Sequence, residues 1–237
     1  TDSAVRTAQA AKERFRPVIF GVITDLHYAD KEVWGSRHYS DSLEKLSAAV
    51  DFFNTRDAAF IIELGDYIDK ADKETEYRYL ECIERVYDSF NGQRHYVLGN
   101  HDVATFTKAE FIKAVNSPKN YYSFDLDGWH FVVLDANYKG DGSPYAAGNF
   151  DWTDTIIPDA ELRWLEHDLA ERSHGMPAIL FCHQNLHNED DPHGVKNAPD
   201  VRAVLEKAGN VRAVFQGHMH TGGYEIINGI HYLTFRA

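Results

Sequence analysis

Five short clusters in the chain combine residue types that bind divalent cations: Asp25-x-His27, Gly65-Asp66, Gly99-Asn100-His101-Asp102, His183 and Gly217-His218-x-His220. Neutral imidazole is the commonest protein ligand for transition metals, and carboxylate and amide oxygens extend the set toward harder ions. His218 and His220 lie two apart at the end of an extended run, so their side chains repeat on one side. That pair alone is weak; the upstream clusters give it weight. Asp25, His27, Asp66, Asn100, His183, His218 and His220 make two carboxylates, one amide and four imidazoles. This is too many for one tetrahedral zinc. It suits two divalent ions sharing a carboxylate, about 3.5–4 Å apart as in two-metal hydrolases. Without cysteine in the set the candidates are Mn, Fe, Zn or Co, with Mg less suited to the imidazoles. Cys82 and Cys182 form no paired motif and read as core.

Each cluster follows an apolar run. Residues 18–23, 59–64, 95–98, 177–182 and 212–216 read as strands, and helical spacing separates several of them over 41–53, 73–90, 108–115, 159–172 and 200–208. Asp41 with Glu44 three residues on suggests a capping box, and Asp159 a second cap. Asp127-Gly128 and Asn228-Gly229 predict tight hairpins joining 121–126 to 129–135 and 223–227 to 231–235. Alternating strands and helices with two hairpins predict an α/β fold with a mixed sheet or two packed sheets. Ligand groups in such sheets gather at the carboxyl ends of strands, which would bring the five clusters to one place. The glycines before Asp66, Asn100 and His218 are each read as a sharp turn. Loops 28–40, 136–158 and 184–198 would frame that place.

With 237 residues, 43% of them hydrophobic, and no internal repeat, the chain is read as one domain over 17–237 behind a polar, flexible leader, 1–16. It stops directly after a strand, so some C-terminal sheet is expected to be missing. No apolar run approaches the roughly 18 residues of a membrane span. A soluble protein is expected, with nothing to decide between cytoplasm and export. The net charge of −13 disfavours nucleic-acid polymers and points to small substrates.

The five blocks together resemble the calcineurin-like metallophosphoesterase superfamily, whose pattern is D-x-H, G-D, G-N-H-[DE], H and G-H-x-H. The run from Phe20 to Asp30 and Gly222-Gly223-Tyr224 are further similar to the manganese-dependent ADP-ribose/CDP-alcohol diphosphatase branch, with His27 where members of that branch carry Gln. The resemblance implies a four-layer αββα sandwich of two mixed sheets. It implies that Asp25, His27 and His220 hold one metal, Asn100, His183 and His218 the other, and that Asp66 bridges. It implies that His101 faces the phosphate as acid catalyst while Asp102 orients it, and that a hydroxide held by the metals attacks phosphorus in line. The activity implied is hydrolysis of a small phosphorylated substrate, with phosphodiester or diphosphate nucleotides favoured. A phosphomonoesterase is the alternative, and a non-catalytic scaffold on the same fold the less favoured one, since every ligand block and His101 are present.

Around this set, Arg37 and Tyr39 are candidates to touch substrate, an Arg fork being suited to phosphate. Asp30 and Asp69 read as loop hydrogen-bonding residues. His95, His130 and His231 lie within strand patterns and read as structural or exposed. His187, His193, Tyr145, Phe150 and Trp152 either line the pocket or serve their own loops.

Overall fold

The computed structural model describes residues 17–35, 37–172 and 175–237. The leader 1–16 lies outside them. Strands β1 (Phe20–Ile23), β2 (Phe60–Glu63) and β3 (Gln93–Tyr96) form a sheet in that order, parallel throughout. A second, mixed sheet holds β4 (Tyr122–Leu126), β5 (Trp129–Val133), β6 (Ala178–Cys182), β7 (Val211–Gln216), β8 (Gly223–Ile227) and β9 (Ile230–Thr234), in the order β4-β5-β6-β7-β9-β8. Helices α1 (Ser42–Thr55), α2 (Lys73–Tyr87) and α3 (Lys108–Ala114) follow the strands of the first sheet. Helices α4 (Asp159–Arg172) and α5 (Ala198–Ala208) serve the second.

Three apolar clusters explain the layering. The side chains of each buried strand divide between two faces with the two-residue period of extended chain. Phe60 and Ile62 join Phe131, Val133, Ile179 and Phe181 between the sheets, and the stacked and edge-on rings of Phe20, Phe60, Phe131 and Phe181 fill that layer. Ile61 faces the other way, against Leu46, Val50, Leu80 and Ile83 of α1 and α2. Val132, Leu180 and Cys182 face Leu165, Leu169, Val201 and Leu205 of α4 and α5. The result is the expected αββα sandwich, except that among the described residues only the second sheet is mixed and the first is parallel.

Both predicted hairpins form, with Asp127-Gly128 and Asn228-Gly229 all at positive φ, as a two-residue turn matched to strand twist requires. Other local expectations shift. β3 lies two residues earlier than the apolar run suggests, because it is an edge strand whose ladder to β2 tolerates Gln93 and Arg94, while Val97 and Leu98 run past it toward the site. Asp41 does not cap α1: it sits in a 3-10 turn, Tyr39–Asp41, that leads straight into the helix, and its carboxylate approaches His38 instead. Asp159 is likewise within the first turn of α4, not ahead of it. A capping box forms instead between Thr107 and Glu110, at the start of α3.

Candidate metal centre

The strand ends deliver the donors. Past β1 and β2 the two loops continue side by side, with the Asp25 and His27 amides donating to the carbonyls of Gly65 and Asp66. The Gly217 amide donates to the His183 carbonyl, drawing the ends of β6 and β7 together. Asp25, His27, Asp66 and His218 all take φ between 43° and 64°. Non-glycine residues rarely adopt that region, and each such residue costs about 1–3 kcal/mol. Four of the seven donors are therefore aimed by strained backbone. Among the glycines beside them, Gly65 at φ 105° makes the turn expected, but Gly99 and Gly217 are not at positive φ. A Cβ on Gly99 would overlap Asp66, and one on Gly217 would overlap Thr24 and Asp25. They are there for close approach.

The donor atoms fall into two groups that share Asp66. Asp25 Oδ1 lies 3.4 Å from His220 Nε2 and 3.9 Å from His27 Nε2, and the two imidazole nitrogens are 3.4 Å apart. Asp66 Oδ2 lies 3.6 Å from His27 Nε2 on one side and 3.3 Å from His183 Nε2 on the other. His218 completes a second group with Asp66 and His183. Asn100 lines the same cavity as Asp66 and His218. All seven predicted donors are thus brought together.

Their other atoms are already occupied. Asp25 Oδ2 accepts from the Thr24 hydroxyl and the His218 amide, Asp66 Oδ1 from the His101 amide, and the Leu64 carbonyl from His183 Nδ1. With Nδ1 engaged, Nε2 is the nitrogen left to a cation, which would displace its proton. Asp25 Oδ1, Asn100 Oδ1, His183 Nε2 and His218 Nε2 are buried without a hydrogen-bond partner among the described residues. Buried polar atoms are seldom left so, and four converging on one point fit cations.

Electrostatics point the same way. Burial opposes ionisation of Asp66, yet the surrounding imidazoles, His183 foremost, hold its carboxyl well below the usual range. Burial likewise opposes charge on His183, but the adjacent Asp66 pushes its pKa up to about 9. His218, buried and beside His183, is pushed down to about 3 and is a neutral donor. Glu63, fully buried beneath the site beside Asp102, is pushed well up and accepts from the Gly65 amide.

Two roles change. Asp102 does not orient His101. Its carboxylate accepts from the amides of Asp66, Tyr67, Ile68 and Gly99 at 2.8–3.3 Å, clamping the loops after β2 and β3 together. Burial and the neighbouring Asp66 push its pKa up to about 7. The carboxylate at His101 is Asp69, 2.7 Å from Nδ1. Asp69 also receives Lys31 at 2.9 Å, with Arg37 at 3.9 Å and His27 Nδ1 at 3.7 Å. Burial opposes charge on His101, but Asp66 and then Asp69 raise its pKa. Only the spacing Asp66-x-x-Asp69 on one loop hinted at this.

Two cavities meet at the donors. One, of about 530 Å³, is lined by Asp25, His27, Arg37, Tyr39, Lys45 and His220; Tyr39 is itself mostly buried. The other, of about 350 Å³, includes Asn100, His101, Trp152, His193 and His218. Arg37, His220 and Thr221 border both. His187 instead meets Gln216, within 3.1 Å. Tyr145 is buried and pins its loop through the Asp154 carbonyl, and Phe150 packs on His101 and Tyr145.

The family model of the calcineurin-like phosphoesterases matches residues 19–222. The chain belongs to that family. Metal-dependent phosphoester hydrolysis is thus its chemistry. Among similar proteins are two named manganese-dependent ADP-ribose/CDP-alcohol diphosphatase. The one from Oryza sativa subsp. japonica is 25% identical, covering 92% of this chain and 82% of its own length. The one from Arabidopsis thaliana is 24% identical, covering 92% and 85%. The crystal structure of a dimetal phosphatase from Danio rerio superposes with a TM-score of 0.81 at 22% identity, covering 94% of this chain and 88% of that one, which shows the shared fold. No helix among the described residues is long and apolar enough to cross a membrane.

Proposed function

We propose that this calcineurin-like phosphoesterase holds two divalent ions and hydrolyses a small diphosphate- or diester-linked substrate. Asp25, His27 and His220 would hold one ion and Asn100, His183 and His218 the second. The observation that carries the reading is the position of Asp66 Oδ2, between His27 Nε2 and His183 Nε2 at 3.6 and 3.3 Å, which suits a carboxylate shared by two ions. The mixed nitrogen and oxygen donors suit Mn, and the names of the plant relatives support it.

Divalent ions bound there would supply Lewis acidity toward phosphoryl oxygens and acidify water. The chain's own residues do the rest. Asn100 lines the same cavity as His101 and can position a phosphoryl group. His101, its Nδ1 2.7 Å from Asp69 and its pKa raised, can donate a proton to the leaving oxygen. Arg37, at the junction of the two cavities, offers its guanidinium to a neighbouring anionic group. Tyr39 forms part of the wall of the larger cavity. Two cavities opening on either side of the donors favour a phosphorus substituted on both sides, hence a diester or diphosphate over a monoester.

The test is metal analysis with a substrate panel of ADP-ribose, CDP-choline, bis(p-nitrophenyl) phosphate and a phosphomonoester. The expected result is about two ions per chain, activity abolished by chelation and restored by manganese, and diphosphates or diesters turned over in preference to the monoester. Activity that survives complete chelation, or turnover of the monoester alone, overturns the reading.

A further inference from the structure

The two walls of the site differ in chemistry, and one is aromatic. Trp152 lines the smaller cavity and remains 41% exposed, large for an indole beside a buried metal-type centre. Its ring lies 5.0 Å from that of His193 and 6.0 Å from that of His218, and His193 in turn lies 5.1 Å from His218. The three rings form a triangle with the donor residue His218 at one corner, tilted or edge-on to one another, and Trp152 is the exposed one on the cavity wall.

Both outer rings are held in place. The Asp151 carbonyl, before Trp152, accepts from the Tyr145 hydroxyl, and the Asp151 carboxylate accepts from the amide and hydroxyl of Thr153. Asp154 pairs with Lys196 at 3.0 Å, and its carbonyl accepts from Tyr145. The loop that carries Trp152 is therefore anchored on both sides of it. His193 is fixed by Asp191, which accepts from its amide and stands 2.7 Å from Nδ1. Neither ring serves the core or closes a hydrogen-bonded network across the cavity. A preformed aromatic wall gives up little conformational freedom on binding.

We infer that Trp152 and His193 form a stacking shelf for a nucleobase on one side of the scissile phosphate. This rests on the hydrolase reading above, since His218 places the shelf directly beside the group expected to hold the phosphate. A ribose bridges the distance from a phosphate at the donors to a ring on the shelf. The shelf offers ring faces and no row of donors and acceptors, so it favours nucleosides without choosing among bases. It also sets polarity: the nucleoside half lies over His218 and His193, and the other half of the substrate enters the larger cavity past Arg37 and His220.

Thymidine 5′-monophosphate p-nitrophenyl ester and methyl p-nitrophenyl phosphate test this, because they share a leaving group and differ in nucleoside against methyl. In Trp152→Ala, kcat/KM for the thymidine ester is expected to fall about five- to a hundredfold, mainly through KM. The methyl ester is expected to be unaffected, and Trp152→Phe to restore most of the loss. Equal losses for both esters, or an unchanged thymidine ester, overturn the shelf. The hydrolase reading stands or falls on the substrate panel above; if the wild-type protein hydrolyses neither ester, the shelf is judged by equilibrium binding of AMP against ribose 5-phosphate in manganese buffer. An AMP preference present in wild type and lost in Trp152→Ala supports the shelf; equal affinities overturn it.

Discussion

His101 and His130 are both imidazoles gripped by carboxylates, at opposite ends of the parallel strands. His101 stands past the carboxyl end of β3, with Asp69 at 2.7 Å from Nδ1 and its ring on the cavity wall. His130 stands at the amino end of β5, level with the start of β6, with Asp125 at 2.6 Å from Nδ1 and Asp168 at 2.7 Å from Nε2. Burial opposes charge on both, and carboxylates raise the pKa of both. The difference lies in what is left over. Both nitrogens of His130 are taken and its side chain is fully buried, so its proton has nowhere to go and the ring can only tie β4, β5 and α4 together. His101 has Nδ1 engaged by Asp69, and the residue lines the open cavity. A raised pKa is thus a sign of chemistry only where one face of the group remains accessible.

That contrast can be broken from either end. The largest effect is expected for His101→Ala, a loss of about 10²–10⁴-fold in kcat with little change in melting temperature. An unchanged kcat would remove His101 from the chemistry. Next, Asp69→Asn leaves the ring in place but takes away its partner, and is expected to cost about 10–100-fold in activity; a wild-type rate would show that His101 does not depend on Asp69.

The smallest effects belong to His130→Gln, expected to leave kcat unchanged and to cost about 1.5–3 kcal/mol of stability through lost charged hydrogen bonds. The pH dependence carries a sign. Because the folded pKa is raised, the native state binds the extra proton between the unfolded value, about 6.5, and its own. The His130 contribution is therefore complete below about pH 6.5 and is lost as pH rises through the raised folded value. Denaturant melts across that window should show a steeper loss in wild type than in His130→Gln; parallel curves would mean that His130 is neutral in the fold.

The parts legible in the sequence were those with a local cause. Apolar runs ending in Gly-Asp, Gly-Asn-His or Gly-His-x-His marked strand ends, and the Asp-Gly and Asn-Gly pairs marked hairpins, because backbone conformation alone demands them. What the side chains of Asp69 and Asp102 do depends on loops brought together from β1, β2 and β3, and no spacing reveals which carboxylate meets a ring and which meets four amides. Tyr145, Phe150 and Trp152 are alike as letters; burial alone separates the anchor from the ring left open. Gly99 and Gly217 looked like turns, and proved to be points where another segment passes too close for a Cβ.

The left-handed backbone at Asp25, His27, Asp66 and His218 bears on how this protein is interrogated. Asn and Gly tolerate that conformation better than other residues, whereas branched side chains resist it. An Asp→Asn exchange at position 25 or 66 is therefore the mildest change for the chain as well as the nearest in shape, and its phenotype reports on charge. A Val or Ile at the same positions would confound lost ligation with misfolding. In a saturation library, tolerance at these sites would sort first by backbone geometry and only then by chemistry.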